Sequence, residues 1–131
     1  MRHWRILDMH GKTSATAGDV CFSWITNGGN GAWTNWPPHE HEKDLEEVYC
    51  YFDMDDPHFG LHLSYVEPGD TYGVVAHTVK SGTMILAPRG YHPTVAAPGT
   101  RNTYLWVLAA HSHKSRRYDL AVLDPKRAEM N

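Results

Sequence analysis

Turn-forming residues recur at short intervals along the sequence, and they limit every element between them to a few residues. Gly, Pro, Asn and Asp form such turns because they adopt unusual backbone φ angles or fix φ outright. Turns are predicted at 27–31, 37–38, 53–57, 67–70, 81–82, 88–90 and 97–99. The runs between them are rich in β-branched and aromatic residues, which favour β-strands. The sequence therefore predicts many short strands.

We predict strands at 19–26, 46–52, 60–66, 73–79, 83–87, 93–96, 102–109 and 118–123. Before residue 110, no window keeps the helical spacing of apolar side chains for three turns. We therefore expect an all-β fold, either a barrel or a double-sheet roll, because closure removes exposed strand edges. A single domain is expected over 1–131, with its core at roughly 18–125 and both ends peripheral.

Charge and composition argue against several kinds of partner. Lys and Arg total 12 against 15 Asp and Glu, a net charge of −3, so no basic excess is present to bind nucleic acid. No apolar run is long enough to cross a membrane, and the N-terminus lacks a secretory signal. Two cysteines, Cys21 and Cys50, are too few for a disulfide framework, so a cytoplasmic location is expected.

The 10 histidines are the unusual feature of the composition, since histidine is the commonest metal ligand.

The most informative stretch joins two prolines to two histidines, Pro37-Pro38-His39-Glu40-His41. In an extended segment, side chains two residues apart point to the same face. The next predicted strand begins with a carboxylate at Glu46 or Glu47, and alternation lets only one of them point inward. A third histidine, His92, follows a Pro-x-Gly turn. Three imidazoles and one carboxylate suit a borderline divalent metal with positions left for water or substrate.

Together these elements resemble the two-part pattern of the cupin superfamily. The first part reads His39-Glu40-His41 with Glu47, and the second reads Gly82, Pro88-Arg89-Gly90 and His92. The histidine-to-glutamate spacing is one residue longer than the general pattern, and the final glycine-to-histidine spacing is one shorter. Loop length can absorb both differences. The resemblance implies a single cupin domain, which is a double-stranded β-helix or jelly-roll barrel.

A closer resemblance is to the 5-deoxy-glucuronate isomerase family of inositol catabolism, and more distantly to the 5-keto-4-deoxyuronate isomerases of pectin breakdown. It covers roughly residues 20–125 and is carried by 37–41, 46–52, 59–61, 87–93 and 95–99. In that family the glutamate directly before Val-Tyr is a metal ligand, which selects Glu47 over Glu46. The resemblance makes His39, His41 and His92 the other ligands of one divalent ion. Zinc and manganese are foremost, and iron and nickel are also compatible.

Members of that family carry two cupin halves, whereas this chain resembles only the second. The sequence is therefore interpreted either as part of a larger isomerase or as a short relative. A short relative would replace the missing half by forming a homodimer. Trp106 stands where a smaller polar residue is expected, and this bears on the substrate more than on the metal.

The resemblance implies aldose–ketose isomerisation of a small sugar acid, a deoxy-uronate, in which a proton moves between adjacent carbons. A base must lie within hydrogen-bond reach of that proton, and the candidates are Glu47, Glu46 and His62. The sugar carboxylate needs a cation, for which Arg89 and Arg101 are the candidates. The candidates for contacts with sugar hydroxyls are the tyrosines Tyr49, Tyr51, Tyr91 and Tyr104.

Three other interpretations stay open. One is a chance cluster of histidines on the surface, and another is a non-catalytic cupin that binds a sugar acid. The third is an iron-dependent cupin oxygenase, because three histidines and one glutamate also suit iron. For His62 and His77 a structural role is the alternative, and His111 with His113 is interpreted as a solvated pair.

Overall fold

The computed structural model describes residues 2–7 and 20–130, whose regular structure is almost entirely β-strand. The strands are β1 Arg2–Leu7, β2 Val20–Asn30, β3 Trp33–Thr34, β4 His39–Glu40, β5 Leu45–Tyr51, β6 Gly60–Ser64, β7 Val75–Val79, β8 Met84–Ala87, β9 Thr94–Ala96, β10 Arg101–Ala110 and β11 Val122–Leu123. Two 3₁₀ turns, His113–Ser115 and Tyr118–Leu120, precede β11. In this part of the chain, no helix is long and apolar enough to cross a membrane. The prediction of an all-β fold is confirmed.

Two antiparallel sheets and one short strand pair make up the architecture. The larger sheet has five strands in the order β1-β2-β10-β5-β8, and the second has four in the order β3-β9-β6-β7. The short strands β11 and β4 pair with each other. Side chains of β5 and β10 reach residues of β3, β6 and β9, so the two sheets pack face to face. This is the double-sheet arrangement expected of the cupin barrel.

Alternation along β5 builds the core and turns one acidic side chain towards it. Leu45, Glu47, Tyr49 and Tyr51 are buried, while the residues between them are exposed or half-buried. This is the period of two that a strand imposes when one face packs on a core. The buried cluster continues across β10 through its residues Tyr104, Trp106, Leu108 and Ala110. Glu47 therefore lies on an otherwise apolar and aromatic inner face.

The predicted strands differ most from the structure in β2, at the C-terminal strand and at the N-terminal end of the chain. Strand β2 continues to Asn30, through glycines that were predicted to form a turn. A Cβ on Gly28 would lie 2.9 Å from the Thr34 side chain, so close packing explains why a residue without a side chain stands at this position. The predicted strand 118–123 keeps only Val122–Leu123 as strand, after a 3₁₀ turn. Arg2–Leu7, expected to be peripheral, pairs with β2 at the edge of the larger sheet.

Candidate metal centre

Three histidines from two separate segments of the chain converge at one end of the core. His39 lies on β4, His41 directly follows it, and His92 lies between the bend at 88–90 and β9. One ligand nitrogen from each ring lies within 4.8 Å of the other two. His41 and His92 are 6% and 2% exposed, and His39 is half-buried. The extended segment 39–41 thus directs both of its imidazoles to the same side, as its spacing predicts.

A main-chain carbonyl oxygen orients each of these rings. The Nδ1 atoms of His39, His41 and His92 lie 3.4, 3.2 and 2.8 Å from the carbonyl oxygens of Pro37, Leu45 and Gly90. Because a carbonyl can only accept, each Nδ1 carries the hydrogen, and the lone pair of a neutral ring is left on Nε2. Metal-binding histidines are commonly oriented in this way, by a hydrogen bond from the other ring nitrogen. All three rings therefore offer Nε2 as the ligand atom.

Glu47 adds a carboxylate to the same cluster. Its Oε2 lies 3.1 Å from His41 Nε2 and 3.0 Å from His92 Nε2. Burial raises the pKa of Glu47, but the hydrogen bonds and charges of His41 and His92 outweigh burial and bring it to about 2. Burial lowers the pKa of His41, but the hydrogen bond to Glu47 and the negative charge of Glu47 outweigh burial and raise it. Glu47 is therefore ionised at neutral pH.

This donor set fits a divalent cation. A carboxylate oxygen in contact with two imidazole nitrogens requires a shared cation, either a proton or a metal ion, because the lone pairs otherwise repel one another. Ligand atoms held about 2.0–2.2 Å from one ion stand about 3 Å apart, as Oε2 and the two Nε2 atoms do. Burial, followed by the nearby His92, lowers the pKa of His39 to about 4, which leaves that ring neutral and able to bind metal.

Two cavities border the cluster. The larger, of about 370 Å³, opens between the edge strands β7 and β8, and its lining includes His62, His77, Arg89 and His92. The smaller, of about 150 Å³, is lined by His39, His41, Glu47 and Trp106, among others. Sites for small molecules usually measure about 300–1,000 Å³. By volume the larger cavity suits a sugar acid and the smaller does not.

His62 and Tyr49 form the inner wall beside the cluster. His62 is 1% exposed, and burial, followed by the nearby His92, lowers its pKa to about 3. Tyr49 packs its ring edge-on against His62, with ring centroids 4.7 Å apart, and its hydroxyl accepts a hydrogen bond from Asn35. The structure thus brings the predicted residues His62, Tyr49 and Arg89 beside the histidine cluster, although Arg89 is exposed.

The structure does not bring four other predicted residues to the cluster. Glu46 is exposed, because strand alternation turns it to the opposite side of β5 from Glu47. Tyr104 is fully buried and donates its hydroxyl hydrogen to Thr34 inside the core.

Tyr91 and Arg101 are engaged elsewhere. The Tyr91 ring stacks on Tyr65 at a centroid distance of 5.1 Å. Arg101 donates to the carbonyl oxygen of Gly28 and lines a separate depression with Asp53 and His58. Both residues are close to His92 in the sequence, but their contacts with Tyr65 and Gly28 direct their side chains away from the cluster.

Two residues that sequence analysis missed contact this inner wall. Thr94 accepts a hydrogen bond from the Tyr51 hydroxyl, which also contacts His62. Thr94 lies two residues after His92 in an extended segment, so strand alternation could have indicated that both face the same side. Asn35 donates to Tyr49, and nothing in the spacing of the sequence indicates that contact.

Comparison with known proteins identifies a matching family. The family model described as KduI/IolB family matches residues 6–126. The chain is 36% identical over 86 residues to a 5-deoxy-glucuronate isomerase of Geobacillus kaustophilus, a match that covers 60% of this chain and 30% of that protein. It is 34% identical over 85 residues to a 4-deoxy-L-threo-5-hexosulose-uronate ketol-isomerase of Caldicellulosiruptor bescii, with 63% and 28% covered. The chain thus spans about a third of the length of these curated relatives.

Solved structures show the same architecture. An IolB-like protein from Salmonella typhimurium superposes with a TM-score of 0.69 at 25% identity, covering 84% of this chain and 42% of that one. A polyketide cyclase from Streptomyces resistomycificus superposes with a TM-score of 0.51 at 22% identity, covering 84% of this chain and 64% of that one, and shows the fold alone. With a family match over nearly its whole length and a cupin-like fold, this chain is a member of the KduI/IolB family.

Proposed function

We propose that this chain is a metal-dependent isomerase that interconverts the aldose and ketose forms of a deoxy-uronate. The observation that carries the proposal is the convergence of three Nε2 atoms and one ionised carboxylate beside a cavity of sugar-acid size. The relatives named 5-deoxy-glucuronate isomerase and ketol-isomerase support the reaction class. The proposed ligands are His39, His41, Glu47 and His92.

A bound divalent ion would supply Lewis acidity towards the two adjacent substrate oxygens on which negative charge develops. Nitrogen and oxygen donors suit zinc and manganese, and also iron and nickel. The ionised Glu47 balances part of the ion's charge, and the three carbonyl contacts keep each Nε2 directed at it.

The larger cavity offers a group for the carboxylate of a sugar acid. Arg89 provides a guanidinium for the carboxylate, although Glu67 and Asp70 line the same cavity and restrict where that carboxylate can lie. The buried His62 lines the same cavity beside His92. Of the three bases predicted from the sequence, Glu46 faces away, and Glu47 is engaged by two histidines.

Metal analysis of untagged protein purified without added metal tests the proposal, with His92→Ala and His113→Ala compared side by side. His113 is an exposed histidine outside the cluster and serves as the matched control. We expect about one divalent ion per chain in the wild type and in His113→Ala, and loss of the ion in a folded His92→Ala variant. The metal found is then used in isomerase assays on deoxy-uronates. A folded wild-type protein that binds no metal and turns over no deoxy-uronate would refute the proposal.

A second candidate function is non-catalytic binding of a sugar acid, as part of a larger isomerase. It is favoured by the short span of the match, about a third of each curated relative. Calorimetry with a deoxy-uronate distinguishes the two functions. Binding without turnover, whichever divalent metal is supplied, supports this second candidate.

A further inference from the structure

His62 has one ring nitrogen that the contacts described so far do not use. Its Nε2 atom is buried and has no hydrogen-bond partner among the described residues, while the side chain is 1% exposed. The residue lines the larger cavity together with His92. An unsatisfied buried polar atom costs about 1–3 kcal/mol, and such groups in native proteins often serve a ligand or a reaction.

The other ring nitrogen is held by a directed chain of hydrogen bonds. The Thr94 hydroxyl lies 3.0 Å from the carbonyl oxygen of Leu61, which can only accept, so Thr94 donates its hydrogen there. Thr94 therefore accepts from Tyr51, whose hydroxyl oxygen is 3.2 Å away. Since Tyr51 uses its hydrogen on Thr94, it accepts from His62 Nδ1 at 2.8 Å. The direction is the same if the Asn102 amide oxygen, rather than Leu61, takes the Thr94 hydrogen.

This series of hydrogen bonds, from His62 through Tyr51 to Thr94, fixes the tautomer of His62. With the hydrogen on Nδ1, the lone pair of the neutral ring lies on Nε2. Tyr49 packs edge-on against the same ring and limits its rotation. The His62 and His92 rings are nearly parallel, 10° apart in plane with centroids 6.5 Å apart. Both residues line the larger cavity, so a molecule bound there can lie against both rings.

Resting on the function proposed above, we propose that His62 Nε2 is the atom that moves the carbon-bound proton, and that Tyr51 and Thr94 are the positioning residues that keep it unprotonated. Nε2 takes the proton from the hydroxyl-bearing carbon beside the substrate carbonyl. The electron pair of that C–H bond forms the C=C bond of an enediolate, and the carbonyl π electron pair moves to its oxygen, which carries the negative charge. The imidazolium then returns the proton to the neighbouring carbon. The second proton moves between the two oxygens, and no oxidant or reductant is consumed.

The tautomer is tested by NMR on zinc-loaded protein with ¹⁵N-labelled histidine, with His62 assigned through the His62→Gln variant. We expect a protonated Nδ1 and an unprotonated Nε2 in the wild type. Tyr51→Phe removes the acceptor for Nδ1–H and should shift the ring towards the other tautomer. Tyr104→Phe is the matched control, because its hydroxyl binds Thr34 in the same aromatic cluster. A protonated Nε2 in the wild type, or an unchanged His62 tautomer in Tyr51→Phe, would overturn the assignment.

The kinetic test separates this role from metal binding. We expect His62→Gln to keep the metal content of the wild type and to lose about 10²–10⁴-fold in kcat with little change in KM. Tyr51→Phe should lower kcat by about 10-fold, while Tyr104→Phe should stay within about 2-fold of the wild type. If the wild type is active and a metal-replete His62→Gln is equally active, only this inference fails. If the wild type loaded with the metal that it is found to bind is inactive on all deoxy-uronates, the proposed function itself fails, and the base role fails with it.

Discussion

At the scale of single residues, the proposed metal centre depends on main-chain positions as much as on side chains. The carbonyl oxygen of Gly90 accepts the hydrogen bond from His92 Nδ1 and so orients that proposed ligand. Gly90 has φ +77°, and a Cβ there would lie 2.6 Å from the carbonyl oxygen of Tyr65. The backbone can follow this path only with glycine, because both its conformation and its contact with Tyr65 exclude a side chain.

We expect Gly90→Ala to destabilise the fold more than Gly82→Ala and to lower metal retention. Gly82 has φ +87°, and a Cβ there would meet no atom within 4 Å, so its alanine variant isolates the cost of the backbone conformation, about 1–2 kcal/mol. Chemical denaturation and metal analysis of both variants provide the measurement. Equal losses of stability with full metal content in both would contradict the role given to the Gly90 contact.

At the scale of elements, strand β4 is held by the C-terminal segment. Its His39 pairs with Leu123 of β11, and the backbone N–H of Asp124 donates to Pro38. The Asp124 carboxylate is fully buried and accepts hydrogen bonds from the Tyr65 hydroxyl and from backbone N–H groups. A strand of two residues has few contacts of its own, so these bonds keep His39 in place.

Asp124→Asn should reduce the free energy of unfolding by about 1–3 kcal/mol, because the amide NH₂ group faces donors and leaves buried hydrogen bonds unmade. The matched control is Asp119→Asn, which removes an exposed carboxylate paired with Arg117. Exposed pairs contribute about 0–1 kcal/mol, so the control should change little. Urea denaturation of the three proteins tests this, and equal effects of the two substitutions would contradict it.

The Asp124 contribution should also depend on pH. Burial raises the pKa of this carboxyl, but the hydrogen bonds from Tyr65 and from the backbone of Lys126 and Gly69 outweigh burial and lower it. A carboxyl with a lowered folded-state pKa stabilises the fold above its unfolded pKa of about 3.9 and loses this effect as pH falls through the folded-state value. The stability difference between wild type and Asp124→Asn should be constant from about pH 7 to 5 and shrink below about pH 4. A difference that grows in acid would contradict this.

At the scale of the whole molecule, polar side chains join the two sheets across an aromatic core. Tyr104 of the larger sheet donates to Thr34 of the smaller sheet at 2.9 Å. Tyr51 of the larger sheet contacts both Thr94 and His62 of the smaller one. Hydrogen bonds are directional, so these contacts fix how the sheets are positioned relative to each other, in addition to the burial that holds them together.

Tyr104→Phe should therefore destabilise the protein by about 1–2 kcal/mol, because it leaves the buried Thr34 hydroxyl without this partner. Tyr72→Phe removes a hydroxyl from a fully exposed tyrosine and should leave stability unchanged. Thermal and urea denaturation measure both, and metal content should match the wild type in each. A loss of metal in Tyr104→Phe would contradict its placement in the core.

Strand alternation explains most of what the sequence could predict. It accounts for the inward direction of Glu47, the outward direction of Glu46 and the shared face of His39 and His41. It could not indicate that β2 continues through Gly28, because packing against Thr34 there overrides the turn preference of glycine. Nor could it place the C-terminal segment on β4, since no local pattern encodes a pairing between residues so far apart.

The link between β4 and the C-terminal segment also bears on the order in which the chain assembles. Trp36, just before β4, donates to the carbonyl oxygen of Met130, 94 positions later, and Tyr65 bonds Asp124 across 59 positions. Contacts of such high sequence separation close large loops and form slowly, whereas hairpins such as β6 with β7 close short ones. The strand that carries His39 is therefore fixed later than hairpins such as β6 with β7, and the complete set of proposed ligands comes together only after such local pairs have formed.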